Sequence, residues 1–230
     1  MRDKSWWTNP WHTRSIGPSL GWGLALGFAL PVTVTATLYS TGAIDMTRSG
    51  ESTATMAITV LTAVVLTPAI EEILFRYLLL RGAEWFAGSY VALAMTAVLF
   101  GAAHVVTAAI DDALPGALLY ALPGTLAGLL FAGAYLLTHT MWLPIALHAG
   151  WNLATNTLYG PDAFGAHRLI TVVPHAPAPL SGGSYGTDAS LLTSVTLVVA
   201  CAFVLTAAHR RGHLVRQGVG RVSRPAGGSG

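Results

Sequence analysis

Long apolar runs alternate with short polar connections along this chain. Six runs stand out, near residues 20–41, 55–80, 90–110, 113–138, 141–159 and 189–208. Each approaches or exceeds the roughly 20 residues that a helix needs to cross a bilayer core. None shows the two-residue alternation of a barrel strand, and lipid offers an unpaired backbone group no partner, so the runs predict helices. The expected fold class is all-α, a polytopic transmembrane helix bundle of about six spans. It divides into an N-terminal cytoplasmic segment (1–19), a membrane domain (20–208) and a basic, disordered tail (209–230). The longest polar stretch, about 160–187, holds Pro161, Pro174, Pro177, Pro179 and a Ser/Gly run, and reads as an external loop over the bundle. Gly23/Gly27 and Gly124/Gly128 are small-xxx-small pairs that mark close helix contacts.

Composition excludes whole classes of function. The chain of 230 residues is 53% apolar and 10% charged, with a mean hydropathy of +0.58. A soluble domain carries about 25% charge, so a soluble enzyme or a disordered regulator is ruled out. The net charge of +2 argues against a nucleic-acid partner; the expected surroundings are the lipid bilayer. Cys201 is the single cysteine, which leaves no intramolecular disulfide and no CxxC metal clip. Arg2, Lys4 and Arg14 precede the first run, which is too long for a cleaved signal. Arg210, Arg211, Arg216, Arg221 and Arg224 follow the last run, and Arg81 lies between the second and third. With Arg48 and Arg168 in alternate loops, this distribution predicts both termini cytoplasmic. Trp6, Trp7, Trp11, Trp22 and Trp142 read as interfacial anchors. One lysine against eleven arginines suggests a GC-rich bacterial gene, and hence a bacterial plasma membrane.

Candidate chemistry lies where charge is expensive. A charged side chain in lipid costs from about 2.5 to more than 10 kcal/mol, so each needs a reason to be there. The second run carries Glu71, Glu72 and Arg76, the third His104, and the fifth His148 and Asn152. Glu72 and Arg76 are four apart and share a helix face, so they can pair; Glu71 points roughly 100° away, toward another partner. His148 and Asn152 also share a face. All lie at similar depth, with Pro68 a possible kink in the second run. A carboxylate beside a neutral imidazole can hold a water and take its proton as it attacks a carbonyl. A second imidazole and an amide can stabilise the oxyanion. The same Glu71, His104 and His148 could instead hold Zn²⁺ with an open position.

Glu71-Glu72-x-x-x-Arg76, Phe100-x-x-x-His104 and His148-x-x-x-Asn152, in that order on successive apolar helices, resemble the CPBP (CAAX protease and bacteriocin-processing, or ABI) family. The resemblance covers about residues 53–160. It implies an intramembrane endopeptidase acting on a peptide or membrane-protein substrate, with Glu71 and His104 activating water. His148 and Asn152 then form the oxyanion site, supported by Glu72 and Arg76. It favours a glutamate-type mechanism with no cofactor over the zinc alternative. The rivals are a non-catalytic scaffold or bacteriocin-immunity protein, and an ion-coupled transporter; the chain shows none of the internal repeats a transporter would favour.

Three decoys carry less. Gly182-Gly-Ser184-Tyr-Gly186 matches G-x-S-x-G but has no strand before it. Asp111-Asp112 sits at a run end, where solvation accounts for it. His12, His139, His167, His175, His209 and His213 fall in loops, tails or run ends, and Cys201 packs in an apolar run.

Overall fold

The computed structural model describes residues 9–11, 16–111, 117–160 and 168–215. Trp6, Trp7, His12, Asp112 and His167, together with Arg2, Lys4, Arg14 and the tail from 216, lie outside the described residues. The architecture is helical, with one small sheet. Helix α1 spans Ile16–Ser40 and leads into strand β1, Ile44–Arg48. The run 53–80, α2, switches winding along its length, and α3 follows it directly as Arg81–Asp111. A 3₁₀ turn, Leu118–Tyr120, enters α4, Ala121–Thr138. Helix α5, Trp142–Asn152, continues as a π-helical stretch, Leu153–Leu158. Strands β2 (Tyr159–Gly160) and β3 (Ile170–Pro174), the short helix α6 (Ala178–Ser181) and α7 (Leu191–Arg210) complete the chain.

Among the described residues four stretches are long and apolar enough to cross a membrane: Ile16–Ser40, Thr53–Ala109, Leu118–Thr138 and Leu191–Arg210. At 1.5 Å per residue the second would extend about 85 Å, nearly three hydrocarbon thicknesses. Gly88 breaks it, with φ 80° and ψ 170°, a conformation that costs glycine little and other residues much. Beyond it α3 folds back along α2, so that the rings of Phe75 and Phe100 meet edge to face at 5.0 Å. Two of the predicted runs therefore share one continuous helical trace. The run predicted at 141–159 is shorter and enclosed; Ala146, Leu147, His148, Gly150 and Trp151 are all buried.

Glycine permits that enclosure. A Cβ on Gly27 would strike the backbone carbonyl of Leu147, so α1 lies directly against α5. A Cβ on Gly128 would come within 2.8 Å of Phe100 Cβ, which sets α4 against α3. Beneath the site, Phe75, Phe100, Leu130, Phe131, Leu147, Trp151 and Leu197 form one apolar cluster. Ile70, Leu78, Val98, Val199 and Phe203 are exposed on the outer helix faces, as an integral membrane protein requires.

The two ends of the bundle differ. At one, Met141 N–H donates to Pro10 O (3.0 Å), and Ser89 N–H donates to Val215 O (2.8 Å), so both ends of the described chain meet there. At the other lies a three-stranded sheet in the order β1-β3-β2, with Ile44 opposite Pro174 in antiparallel register and β2 parallel to β3. The stretch expected as a loop over the bundle thus carries a strand, a short helix and two 3₁₀ turns, Gly183–Tyr185 and Thr187–Ala189.

Candidate active site

Helix α2 is α-helical at Thr53–Thr59 and Thr67–Glu72 and π-helical at Val60–Leu66 and Ile73–Leu80. Pro68 explains part of this. Thr67 N–H donates five residues back to Thr62 O, and the next rung would run from residue 68 to Ala63 O. Proline has no N–H to give. The carbonyl so exposed accepts from another helix: Asn152 Nδ2 donates to Ala63 O at 2.9 Å. The sequence-predicted kink is therefore a widened turn, and one N–H of the Asn152 amide is committed to it.

Below that turn Glu72 and Arg76 are fully buried, and Arg76 Nε lies 3.1 Å from Glu72 Oε2. Arg76 Nη2 donates to Gly128 O (2.8 Å), and the guanidinium faces the rings of Phe100 (4.7 Å), Phe131 (5.5 Å) and Phe75 (5.7 Å). Such an arrangement suits arginine, whose planar cation binds carboxylates and aromatic faces together. Glu72 also reaches across to α5, accepting from His148 Nδ1–H at 3.0 Å. With its other oxygen paired to arginine, the carboxylate accepts here, so Nδ1 carries the proton, and Nε2 lies 3.9 Å from Glu71 Oε2. The imidazole of His148 stacks on Phe131 at 4.7 Å.

His104 is held differently. Its Nδ1–H donates to Phe100 O at 2.9 Å, one turn back on α3, which leaves Nε2 as the free nitrogen. The Phe100 ring lies 4.4 Å from it, tilted by 34°, and Tyr120 is parallel to it within 3° at 6.1 Å. Glu71, His104, His148 and Asn152 all line one cavity of about 400 Å³. Within it Glu71 Oε2 is buried with no hydrogen-bond partner among the described residues. All six sequence-predicted residues are thus at one place: four at the cavity wall, and Glu72 and Arg76 behind them.

A zinc site would need three donors aimed at one point. Among the described residues no three His, Cys, Asp or Glu side chains are grouped to hold a metal, and the set Glu71, His104 and His148 does not form such a cluster. The G-x-S-x-G segment follows helix α6 and lies in a 3₁₀ turn, with no strand leading into it. Cys201 is buried, its Sγ 3.3 Å from Leu126 O.

Sequence reasoning missed one wall of the cavity. Asp188, from the turn before α7, lines it together with Tyr120, Trp151 and Thr155. Asp188 Oδ2 accepts from Trp151 Nε1 at 3.1 Å and from Tyr120 OH at 3.2 Å. Burial pushes the Asp188 carboxyl up to about 6, although hydrogen bonds from Trp151, Tyr120 and Thr155 and the charge of Arg168 pull it down. An acid in a Gly/Ser-rich stretch looks like ordinary surface, so nothing in the sequence marked it.

Comparison with known proteins agrees with this geometry. Residues 53–154 match the family model described as type II CAAX prenyl endopeptidase Rce1-like, a segment that contains Glu71, Glu72, Arg76, His104, His148 and Asn152. No curated protein and no solved structure matches the chain. Residues 53–154 thus carry the likeness to the CPBP, or CAAX protease, family of peptide hydrolases, within a chain whose long apolar helices are those of an integral membrane protein.

Proposed function

We propose that the protein is an intramembrane endopeptidase of glutamate type, hydrolysing a peptide bond within or next to the bilayer. One observation carries the reading: a carboxylate oxygen of Glu71 with no hydrogen-bond partner among the described residues borders a cavity of about 400 Å³ that His104, His148 and Asn152 also line. A water held between Glu71 and Nε2 of His104 gives a proton to Glu71 as its oxygen attacks the substrate carbonyl. The resulting oxyanion is met by His148 and by the second N–H of Asn152. Collapse breaks the C–N bond, and the proton on Glu71 passes to the leaving amine. Glu72 orients His148, and Arg76 holds Glu72 in place.

The substrate is a peptide or membrane protein that enters from lipid. Taking 53–80, 89–111, 118–138 and 142–158 as single crossings beside α1 and α7 gives six, with both termini on the cytoplasmic face. The experiment compares N- and C-terminal peptides from cells carrying wild type or Glu71→Gln. Termini within or beside apolar segments should disappear in the variant. Identical sets of termini, with the variant present at normal level, would refute peptidase activity.

A further inference from the structure

Asp188 lies beyond the segment that matches the family, yet it borders the cavity. Its turn is held from two sides. Thr187 Oγ1 hydrogen-bonds Thr35 Oγ1 on α1 at 2.8 Å, and Thr187 O accepts from Thr193 Oγ1 on α7 at 2.6 Å. The carboxylate is thus a fixed point, and one oxygen gathers donors from two other elements. Tyr120 OH comes from the entry to α4, and Trp151 Nε1 from α5, three residues past His148. Tyr120 in turn supplies a ring parallel to that of His104, 6.1 Å away. The His104 ring therefore has three neighbours that set its plane: Phe100 O at its Nδ1, the tilted Phe100 ring and the parallel Tyr120 ring. Of these three, the Tyr120 ring is the one that comes from outside α3, and Asp188 anchors that ring.

We propose that Asp188 is a positioning residue of this site, which fixes Tyr120 and through it the plane of the His104 imidazole, while tying Trp151 and α5 to the same wall. The inference rests on the reading of His104 as a partner of the attacking water. Orientation at such a site is worth much, since a displacement of about 1 Å can cost about a hundredfold in rate. Asp188 does this without touching the reacting atoms. It places the turn before the last helix, a part of the chain that carries no motif, in the catalytic architecture.

The test reads His104 directly. Full-length protein labelled with ¹³C,¹⁵N-histidine in detergent micelles gives imidazole signals, which His104→Ala and His148→Ala assign. Asp188→Ala should move the His104 ring signals, as the Tyr120 ring current shifts, while those of His148, anchored by Glu72, stay in place. In cells, the Glu71-dependent termini should fall about ten- to a hundredfold. Asp188→Asn should keep both near wild type, because its amide oxygen still accepts from both donors. Unmoved His104 signals in Asp188→Ala would overturn the proposal, and so would an Asp188→Asn variant as damaged as the alanine. Should Asp188→Ala fail to fold, Tyr120→Phe deletes only the hydroxyl: shifted His104 signals then support the proposal and unshifted ones refute it. Moved signals without any Glu71-dependent termini would uphold the positioning and count against the peptidase reading instead.

Discussion

Replacing Arg76 by alanine tests the buried charge network most severely. The substitution removes a cation 3.1 Å from a carboxylate that is itself fully buried. At an effective dielectric of about 20 that attraction is about 5 kcal/mol, and Gly128 O loses its donor as well. Loss of the arginine also ends its own desolvation cost, and His148 still donates to Glu72, so the net falls below the sum. Breaking a buried pair from one side typically costs about 3–5 kcal/mol. For a chain of this size that is about 6–20 °C in melting temperature. The assay is thermal unfolding of purified protein in one detergent, with Glu72→Gln/Arg76→Met as the control. The double variant keeps an acceptor for His148 and fills the aromatic box with an apolar chain, so it should melt well above Arg76→Ala. An Arg76→Ala protein that melts within about 2 °C of wild type, or a double variant no better than the single, would refute the argument.

Four further outcomes are expected. Glu71→Gln and His104→Ala should each abolish cleavage without loss of folded protein, and together should be little worse than either, since both act on one water; additive losses would separate their roles. Asn152→Ala should lower turnover by about 10²–10³ with KM little changed. It should also cost about 1–3 kcal/mol by stranding Ala63 O; adding Pro68→Ala should recover the stability but not the rate, and recovery of both would reduce Asn152 to a structural tie. The raised Asp188 pKa, about 6 against an ordinary 3.8, means that the folded state holds this proton more tightly than the unfolded one. Stability should therefore fall as pH rises from about 4 to about 6, by up to about 3 kcal/mol, and Asp188→Asn should lack that slope in pH-dependent melts. Purified enzyme should survive 1,10-phenanthroline; inhibition reversed by added Zn²⁺ would overturn the glutamate-type chemistry and make Glu71, His104 and His148 ligands.

The helices were legible because lipid forces them to be: an apolar run that long has few other uses, and the described helix bounds lie within a few residues of most predicted runs. The chemistry was legible for the same reason, since Glu71, Glu72 and Arg76 stand out against leucine and isoleucine. What stayed hidden lacked that contrast. Strands β1 and β3 are five residues each and pair Ile44 with Pro174 across the whole bundle, so no local pattern announces them. Asp188 sits among Gly, Ser and Thr, where an acid is unremarkable. The exposed carbonyl of Ala63 follows from Pro68, but its partner is 89 residues away and only the fold brings it near.

The Glu72–Arg76 pair also bears on how such a chain is made. The two charges lie on one helical turn, four residues apart, so segment 53–80 enters the bilayer with Glu72 and Arg76 already paired, before any later helix has left the ribosome, and with Glu71 as its one remaining carboxyl. Glu71 and Glu72 meet His148 only once α5 has been synthesised, 76 residues after Glu72. Solubility in lipid is thus secured locally and early, and hydrolytic competence globally and late. A nascent chain that ends before Trp142 would insert with Arg76 already matched by Glu72 and, lacking His148 and Asn152, remain inert, so the half-made protein carries no working peptidase through the membrane beside its own unfolded segments.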